Sequence, residues 1–212
     1  MTLFIKELYK IFFPKNCLAC QEPDFWICPA CLTSLEKSYE NKDSFITSLF
    51  NYKDSRVRKI VWFIKFNKKH SVLDDIEERI RDHVLKFIEK NNLSKKELVV
   101  IPIPLTKRSL HKRGYNQADL ISLTLRQIPN IKIERNILFK TKNHLPQNKI
   151  KNRQERMSNV VNSFGVKNEN KIEGEIILLI DDVTTTGATL KEAKHILKEH
   201  GAKKVYAFTL AH

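Results

Sequence analysis

Residues 176–190 read Ile-Ile-Leu-Leu-Ile-Asp-Asp-Val-Thr-Thr-Thr-Gly-Ala-Thr-Leu. The opening apolar run is what a central strand covered on both faces requires. Two carboxylates, Asp181 and Asp182, close that strand, and a hydroxyl-rich turn then opens a helix. At a helix N-terminus the unpaired backbone N–H groups and the positive dipole end favour a dianionic phosphate, and threonine hydroxyls add donors without charge. Gly187 lets the backbone approach where a side chain would collide. Open α/β sheets bind ligands at the carboxyl ends of their strands, where adjacent carboxylates suit a pair of vicinal hydroxyls. Capping explains one Asp or one Thr here, but not two acids followed by three threonines. The expectation is a phosphate cradle over Val183, Thr184, Thr185, Thr186, Gly187, Ala188 and Thr189, with Asp181 and Asp182 on hydroxyls of the same ligand.

Around this stretch the pattern alternates strands and helices, which implies an α/β fold with a parallel sheet and flanking helices. Leu98 to Pro104 reads as a buried strand, Gly114 to Gln127 as a helix, and Asn136 to Phe139 and Ser163 to Val166 as strands. Leu190 to Glu199 is a helix closed by Gly201, and Lys204 to Leu210 a last strand. Upstream, Phe45 to Tyr52 has strand character. Val57, Ile60, Val61 and Ile64 recur at helical spacing, as do Leu73, Ile76, Ile80, Val84, Leu85 and Ile88 between Val72 and Glu89. Leu32 to Asn41 reads as a short helix and tail, and residues 1–13 as an amphipathic helix. The expected organisation is an N-terminal helix and cysteine module over 1–40, a helical, hood-like region over 41–97, and the α/β domain over 98–212.

The four cysteines of the chain are Cys17, Cys20, Cys28 and Cys31, in the pattern C-x2-C-x7-C-x2-C. Each C-x2-C turn aims two thiolates at one point, so two such turns supply the sulfurs of a tetrahedral Zn2+ site. A redox disulfide is the rival reading. It normally follows a strand of a thioredoxin-like unit, whereas Pro14, Phe25, Trp26 and Pro29 are the surroundings of metal knuckles. Four sulfur ligands leave no open position, so the metal is structural, and so short a segment folds with its ion.

With 38 Lys and Arg against 24 Asp and Glu, the 212-residue chain carries a net charge of +14. That field attracts polyanions, although singly scattered lysines on a solvated surface give the same total. Lys107, Arg108 and Arg113 follow the first strand of the α/β domain, where they suit an anionic ligand such as a phosphate group, although a solvated loop gives the same run. Arg56, Arg58, Lys59 and Lys65 surround a helix that also carries Trp62, Phe63 and Phe66, and charge interleaved with stacking surface is what single-stranded DNA binders use. Lys149, Lys151, Arg153 and Arg156 lie in a basic stretch poor in apolar residues, suited to a closing lid or a nucleic-acid arm. No apolar run approaches the length of a membrane span and no cleavage site follows the first residues, so the chain reads as cytosolic.

The 176–190 stretch resembles the phosphoribosyl pyrophosphate (PRPP) signature of type I phosphoribosyltransferases. The resemblance implies that Asp181 and Asp182 hold the ribose hydroxyls, that Thr184 to Thr189 cradle the 5-phosphate, and that Mg2+ accompanies the pyrophosphate. The mid-loop place where some members carry a carboxylate base is taken by Thr185, so base-assisted purine transfer is not implied. Pro102-Ile-Pro-Leu, then Lys107 and Arg108, then Arg113-Gly-Tyr-Asn-Gln resemble the early loop of ComF proteins, the late competence family, which join a zinc motif to this fold. Gln147, Glu155, Arg156, Asn159 and Phe164 match the spacing of that family's mobile stretch. Membership implies binding of single-stranded DNA during its uptake across the cytoplasmic membrane, at the inner face of that membrane, with a DNA-uptake helicase or membrane-channel protein as partner. The alternative is an enzyme that transfers phosphoribose from PRPP to an unspecified acceptor.

Overall fold

A computed structural model describes residues 15–38, 45–67, 72–141 and 163–212. The predicted N-terminal helix and the basic residues Lys149, Lys151, Arg153 and Arg156 lie outside them, as do Gln147, Glu155 and Asn159.

The main sheet is fully parallel, with strand order β1-β7-β6-β2-β3. Its strands are β1 (Ile46–Phe50), β2 (Leu98–Pro102), β3 (Ile131–Ile133), β6 (Ile176–Val183) and β7 (Lys204–Ala211). All five residues of β2 and the first five of β6 are buried, as an apolar run between two layers requires. Side chains alternate between the layers. Ile176, Leu178 and Ile180 join one core with α2 (Ser55–Phe66) and α3 (Val72–Lys90), whereas Ile177 and Leu179 join a second core with Leu190, Ala193 and Leu197 of α6 (Ala188–Glu199). The segment 41–97 thus supplies the edge strand β1 as well as two helices, and Cys17, Ile27 and Cys28 share the α2/α3 core. No described helix is long and apolar enough to cross a membrane.

Several local expectations are corrected. The first short helix, α1, is Pro29–Thr33 and not 32–41, because Pro29 suits a helix start and Ser34 ends it. The basic segment after β2 is helical: α4 (Lys107–Arg113) is capped by the Thr106 hydroxyl, which accepts from the Ser109 N–H, and ends at Gly114 in the left-handed region. That glycine separates α4 from α5 (Gln117–Leu123), which is shorter than the expected 114–127. Strands β4 (Leu138–Lys140) and β5 (Phe164–Val166) form a separate antiparallel pair outside the main sheet. The edge strand β3 is too short and too exposed to show a pattern in the sequence. Finally, β6 continues through Val183, so the two aspartates lie within the strand and pair alongside β7, Asp181 opposite Thr209.

Candidate functional site

The turn after β6 is anchored on three sides. The Thr184 N–H donates to the Ala211 carbonyl at 3.0 Å, and the Nε2 of His212 lies 3.2 Å from the Thr185 carbonyl. Gly187 sits at φ +71°, and a Cβ there would stand 3.1 Å from Cδ1 of Ile46 in β1. The backbone angle favours glycine, and a Cβ there would also require Ile46 to give way by a few tenths of an ångström. Helix α6 starts at Ala188 with no acidic residue in its first turn, so no carboxylate of that turn offsets its positive end. The Thr186 hydroxyl accepts the Ala188 N–H at 3.3 Å, which tightens the turn.

Successive strand residues point to opposite faces, and the two aspartates obey this. Asp182, buried, meets Lys65 of α2, with Nζ 3.2 Å from Oδ1. Asp181 folds one carboxylate oxygen onto the Asp182 N–H at 2.8 Å. Burial and then the neighbouring Asp182 charge push Asp181 up to about 7, while Lys65 and Lys140 pull it back. Burial lowers Lys140 to about 8, against the pull of Asp181 and Glu192, and its Nζ stands 3.7 Å over the Phe164 ring. A carboxylate raised in the folded state destabilises the fold once ionised. Its contribution is most favourable below the unfolded pKa, near 4, and is lost as pH rises toward 7. Thermal melts across that window should show stability of the ligand-free protein falling with pH, and Asp181→Asn should flatten the slope; an unchanged slope would count against this electrostatic account.

Lys65, expected on a nucleic-acid face, makes an ion pair with Asp182. The other three basic residues of α2 also have partners within the protein. Arg56 grips both oxygens of Asp54, at 3.0 Å from Nε and 2.6 Å from Nη2, and donates to the Ser34 hydroxyl and carbonyl. Asp54 caps α2, and Arg56 holds its carboxyl down at about 2. Arg58 donates to the carbonyls of Tyr52 and Lys53, and Lys59 to that of Leu18. Exposed on α2 are Trp62 and Phe66, 61% and 52% accessible, with ring centroids 5.6 Å apart.

Each residue of the Arg113-Gly-Tyr-Asn-Gln run has a structural part. Arg113 donates to Oε1 of Gln117 at 2.6 Å and lies 5.6 Å over the Phe66 ring. The Tyr115 hydroxyl donates to the carbonyls of Ile64 and Asn67, 2.7 and 3.1 Å away, and so ties down the end of α2. Asn116 caps α5 and donates to the Ile103 carbonyl at 3.0 Å. Lys107 and Arg108 are exposed on α4.

The cysteine sulfurs converge: the four Sγ atoms lie within 4.8 Å of one another, with Cys20 and Cys28 at 3.6 Å. Sulfurs held about 2.3 Å from a tetrahedral Zn2+ would be about 3.8 Å apart, so the set fits that ion. Burial opposes ionisation of Cys17, but backbone N–H groups of Cys20, Cys28 and Ala19 directed at its sulfur bring it down to about 6. A residue the sequence did not single out holds this module in place. Asp75 of α3 accepts from the Trp26 and Ile27 N–H groups at 2.6 and 3.1 Å, and the Trp26 ring packs 4.5 Å from that of Phe63.

The family of phosphoribosyl transferase domains matches residues 72–212, the β2-to-β7 sheet and its turn included. The chain belongs to the phosphoribosyl transferase domain family. Curated relatives carry the ComF resemblance through. Competence protein F of Haemophilus influenzae is 32% identical over 140 residues, 64% of this chain and 56% of its own length. Competence protein ComFC of Bacillus subtilis is 40% identical over 116 residues, 54% of this chain and 45% of its own. The DNA utilization protein YhgH of Escherichia coli strain K12 is 26% identical over 147 residues, 69% of this chain and 63% of its own. The matched stretches thus span roughly half to less than two thirds of these relatives. In this phosphoribosyltransferase domain the sheet presents, at its carboxyl end, two acids, two lysines from elsewhere in the chain and a glycine turn.

Proposed function

We propose that this chain binds PRPP with Mg2+ and acts in the handling of single-stranded DNA during natural transformation, at the inner face of the cytoplasmic membrane. The observation that carries the PRPP arm is the turn itself, a left-handed glycine at the head of a helix whose first turn has no acid, directly after two carboxylates. A phosphate seated over residues 183–189 leaves its ribose hydroxyls toward Asp181 and Asp182. Among the described residues, Lys65 and Lys140, with Lys107, Arg108 and Arg113 after β2, are cations that the pyrophosphate can draw on. Mg2+ would neutralise the pyrophosphate when bound. Cys17, Cys20, Cys28 and Cys31 would hold Zn2+ in a closed, structural site.

The DNA arm takes its support from the names of the relatives and from one surface. Trp62, Lys65 and Phe66 occur at i, i+3 and i+4, so they share one face of α2. The exposed aromatic pair accordingly flanks the lysine that reaches Asp182. Stacking of a base on such a ring is worth about 1–3 kcal/mol. Single-stranded oligonucleotide should quench Trp62 fluorescence, and Trp62→Ala should lose affinity of that order. The logarithm of the affinity should fall against log salt with a slope of about −0.7 per phosphate contacted. A flat salt response together with unquenched fluorescence would remove DNA from the reading.

The domain family favours a second reading, enzymatic transfer. A nucleophile would attack the anomeric carbon as its bond to pyrophosphate breaks, with catalysis resting on positioning and electrostatic stabilisation. Thr185 cannot serve as base at neutral pH, so the acceptor must bring its own nucleophilic form. Release of pyrophosphate that depends on an added acceptor distinguishes this from simple binding.

A further inference from the structure

The far end of the sheet carries a second concentration of positive charge. A cleft of about 310 Å³ is lined there by Lys194 and Lys198 of α6, Lys204 and Tyr206 of β7, Asn91 after α3, and Phe45. No carboxylate is among these described lining residues. Lys194 places its Nζ 4.1 Å over the Phe45 ring, and Lys204 places its own 4.9 Å over the Tyr206 ring. Lys198 donates to the Lys203 carbonyl at 2.9 Å, which fixes one ammonium at the rim. Tyr206 is 4% exposed, and among the described residues its hydroxyl has no hydrogen-bond partner. An unsatisfied hydroxyl at that depth costs stability, so it marks a position where a ligand acceptor would be favourable.

The geometry points to this cleft as a second binding site for a small phosphate-bearing anion, separate from the turn after β6. Three ammonium groups supply the charge, the Tyr206 O–H supplies a buried donor, and the Asn91 amide, which already donates one N–H to the Phe87 carbonyl at 2.9 Å, has a second N–H to offer. Both α6 and β7 run between the two places. From Ala188 to Lys198 is about 15 Å along a helix, and from Lys204 to Ala211 is about 23 Å along a strand. One ligand the size of inorganic phosphate or pyrophosphate cannot bridge them. The volume falls at the small end of the range for small-molecule sites, which excludes nothing as small as these ions. The inference is independent of what the turn after β6 binds.

The test is a titration of the 15N-labelled full chain with inorganic phosphate and, separately, pyrophosphate, followed residue by residue by NMR. Saturable shifts are expected at the amides of Lys204, Val205 and Tyr206 and at the Asn91 side chain. Lys194→Gln with Lys204→Gln should weaken the affinity read there at least tenfold, and Tyr206→Phe at least threefold, with shifts at Gly187 unaltered. Comparison of the two anions identifies which is preferred. Because the hydroxyl has no hydrogen-bond partner among the described residues, Tyr206→Phe should melt no lower than the parent chain in phosphate-free buffer. The proposal is overturned if shifts occur only around Gly187, if the lysine pair can be replaced without effect, if an oligonucleotide but neither small anion produces the shifts, or if Tyr206→Phe lowers the melting temperature by several degrees.

Discussion

Replacing Asp181 and Asp182 together with Asn is expected to weaken PRPP binding, in the presence of Mg2+, by at least a hundredfold while leaving the fold intact. Both side chains leave the main sheet at its carboxyl end, one on each face, and the β6–β7 pairing there is made by backbone groups that the substitution keeps. Each carboxylate that accepts a hydroxyl proton makes a charge-assisted bond, about twice as strong as a neutral one. Two such bonds lost, at about 1.5–3 kcal/mol each, exceed a factor of one hundred. Asn keeps the shape, so the parallel sheet and the turn remain. The conversion also leaves Lys65 facing an amide in place of its ion pair with Asp182. A native circular dichroism spectrum with a cooperative melt would establish folding, and calorimetry would read the affinity. Equal affinity in the double variant would remove these aspartates from the site.

Stripping the metal from the four-cysteine cluster is the second large effect. One equivalent of Zn2+ per chain is expected on analysis, and its removal by a strong chelator should unfold residues around Cys17 to Cys31, since so small a module buries too little to stand alone. The consequence spreads beyond the module, because Cys17, Ile27 and Cys28 are buried in the same core as α2 and α3. Trp26 provides the signal: its ring packs on Phe63 and its N–H is held by Asp75, so chelation should shift its fluorescence and lower the melting temperature. A chain that keeps both after losing its metal would contradict a structural role. Asp75→Ala should mimic part of the effect with the metal still bound, since it frees the Trp26 and Ile27 N–H groups from their acceptor.

What could be read from the chain was what is local. The doubled C-x2-C pattern states its geometry in its spacing, and the strand, turn and helix of 176–190 are contiguous, so backbone preference and chemistry coincide. Helices α2 and α3 showed as apolar repeats because each has one face against the sheet. What escaped depends on distance in sequence. The pairing of β1 beside β7 joins the first and last described strands of the chain, and no pattern in either strand names its neighbour. Lys65 and Lys140 reach the aspartates from α2 and β4, so nothing near residue 181 announces them. Lys65 looked like one more basic residue of a charged helix, and only the packing of α2 separates it from Arg56, which serves a helix cap. The basic run before α5 read as a loop because its helical form rests on the Thr106 cap and on Gly114, a seven-residue element too short for a periodic signal.

The central claim is that the turn after β6 seats the phosphate of a phosphorylated ribose. It is tested most directly by a crystal structure of the full chain with PRPP and Mg2+. The account predicts the 5-phosphate on the backbone of residues 184–189, the ribose hydroxyls within hydrogen-bond distance of Asp181 and Asp182, and Lys65 drawn from Asp182 toward the pyrophosphate. Ligand density elsewhere, with this turn unoccupied and Lys65 still on Asp182 under saturating PRPP, would contradict it.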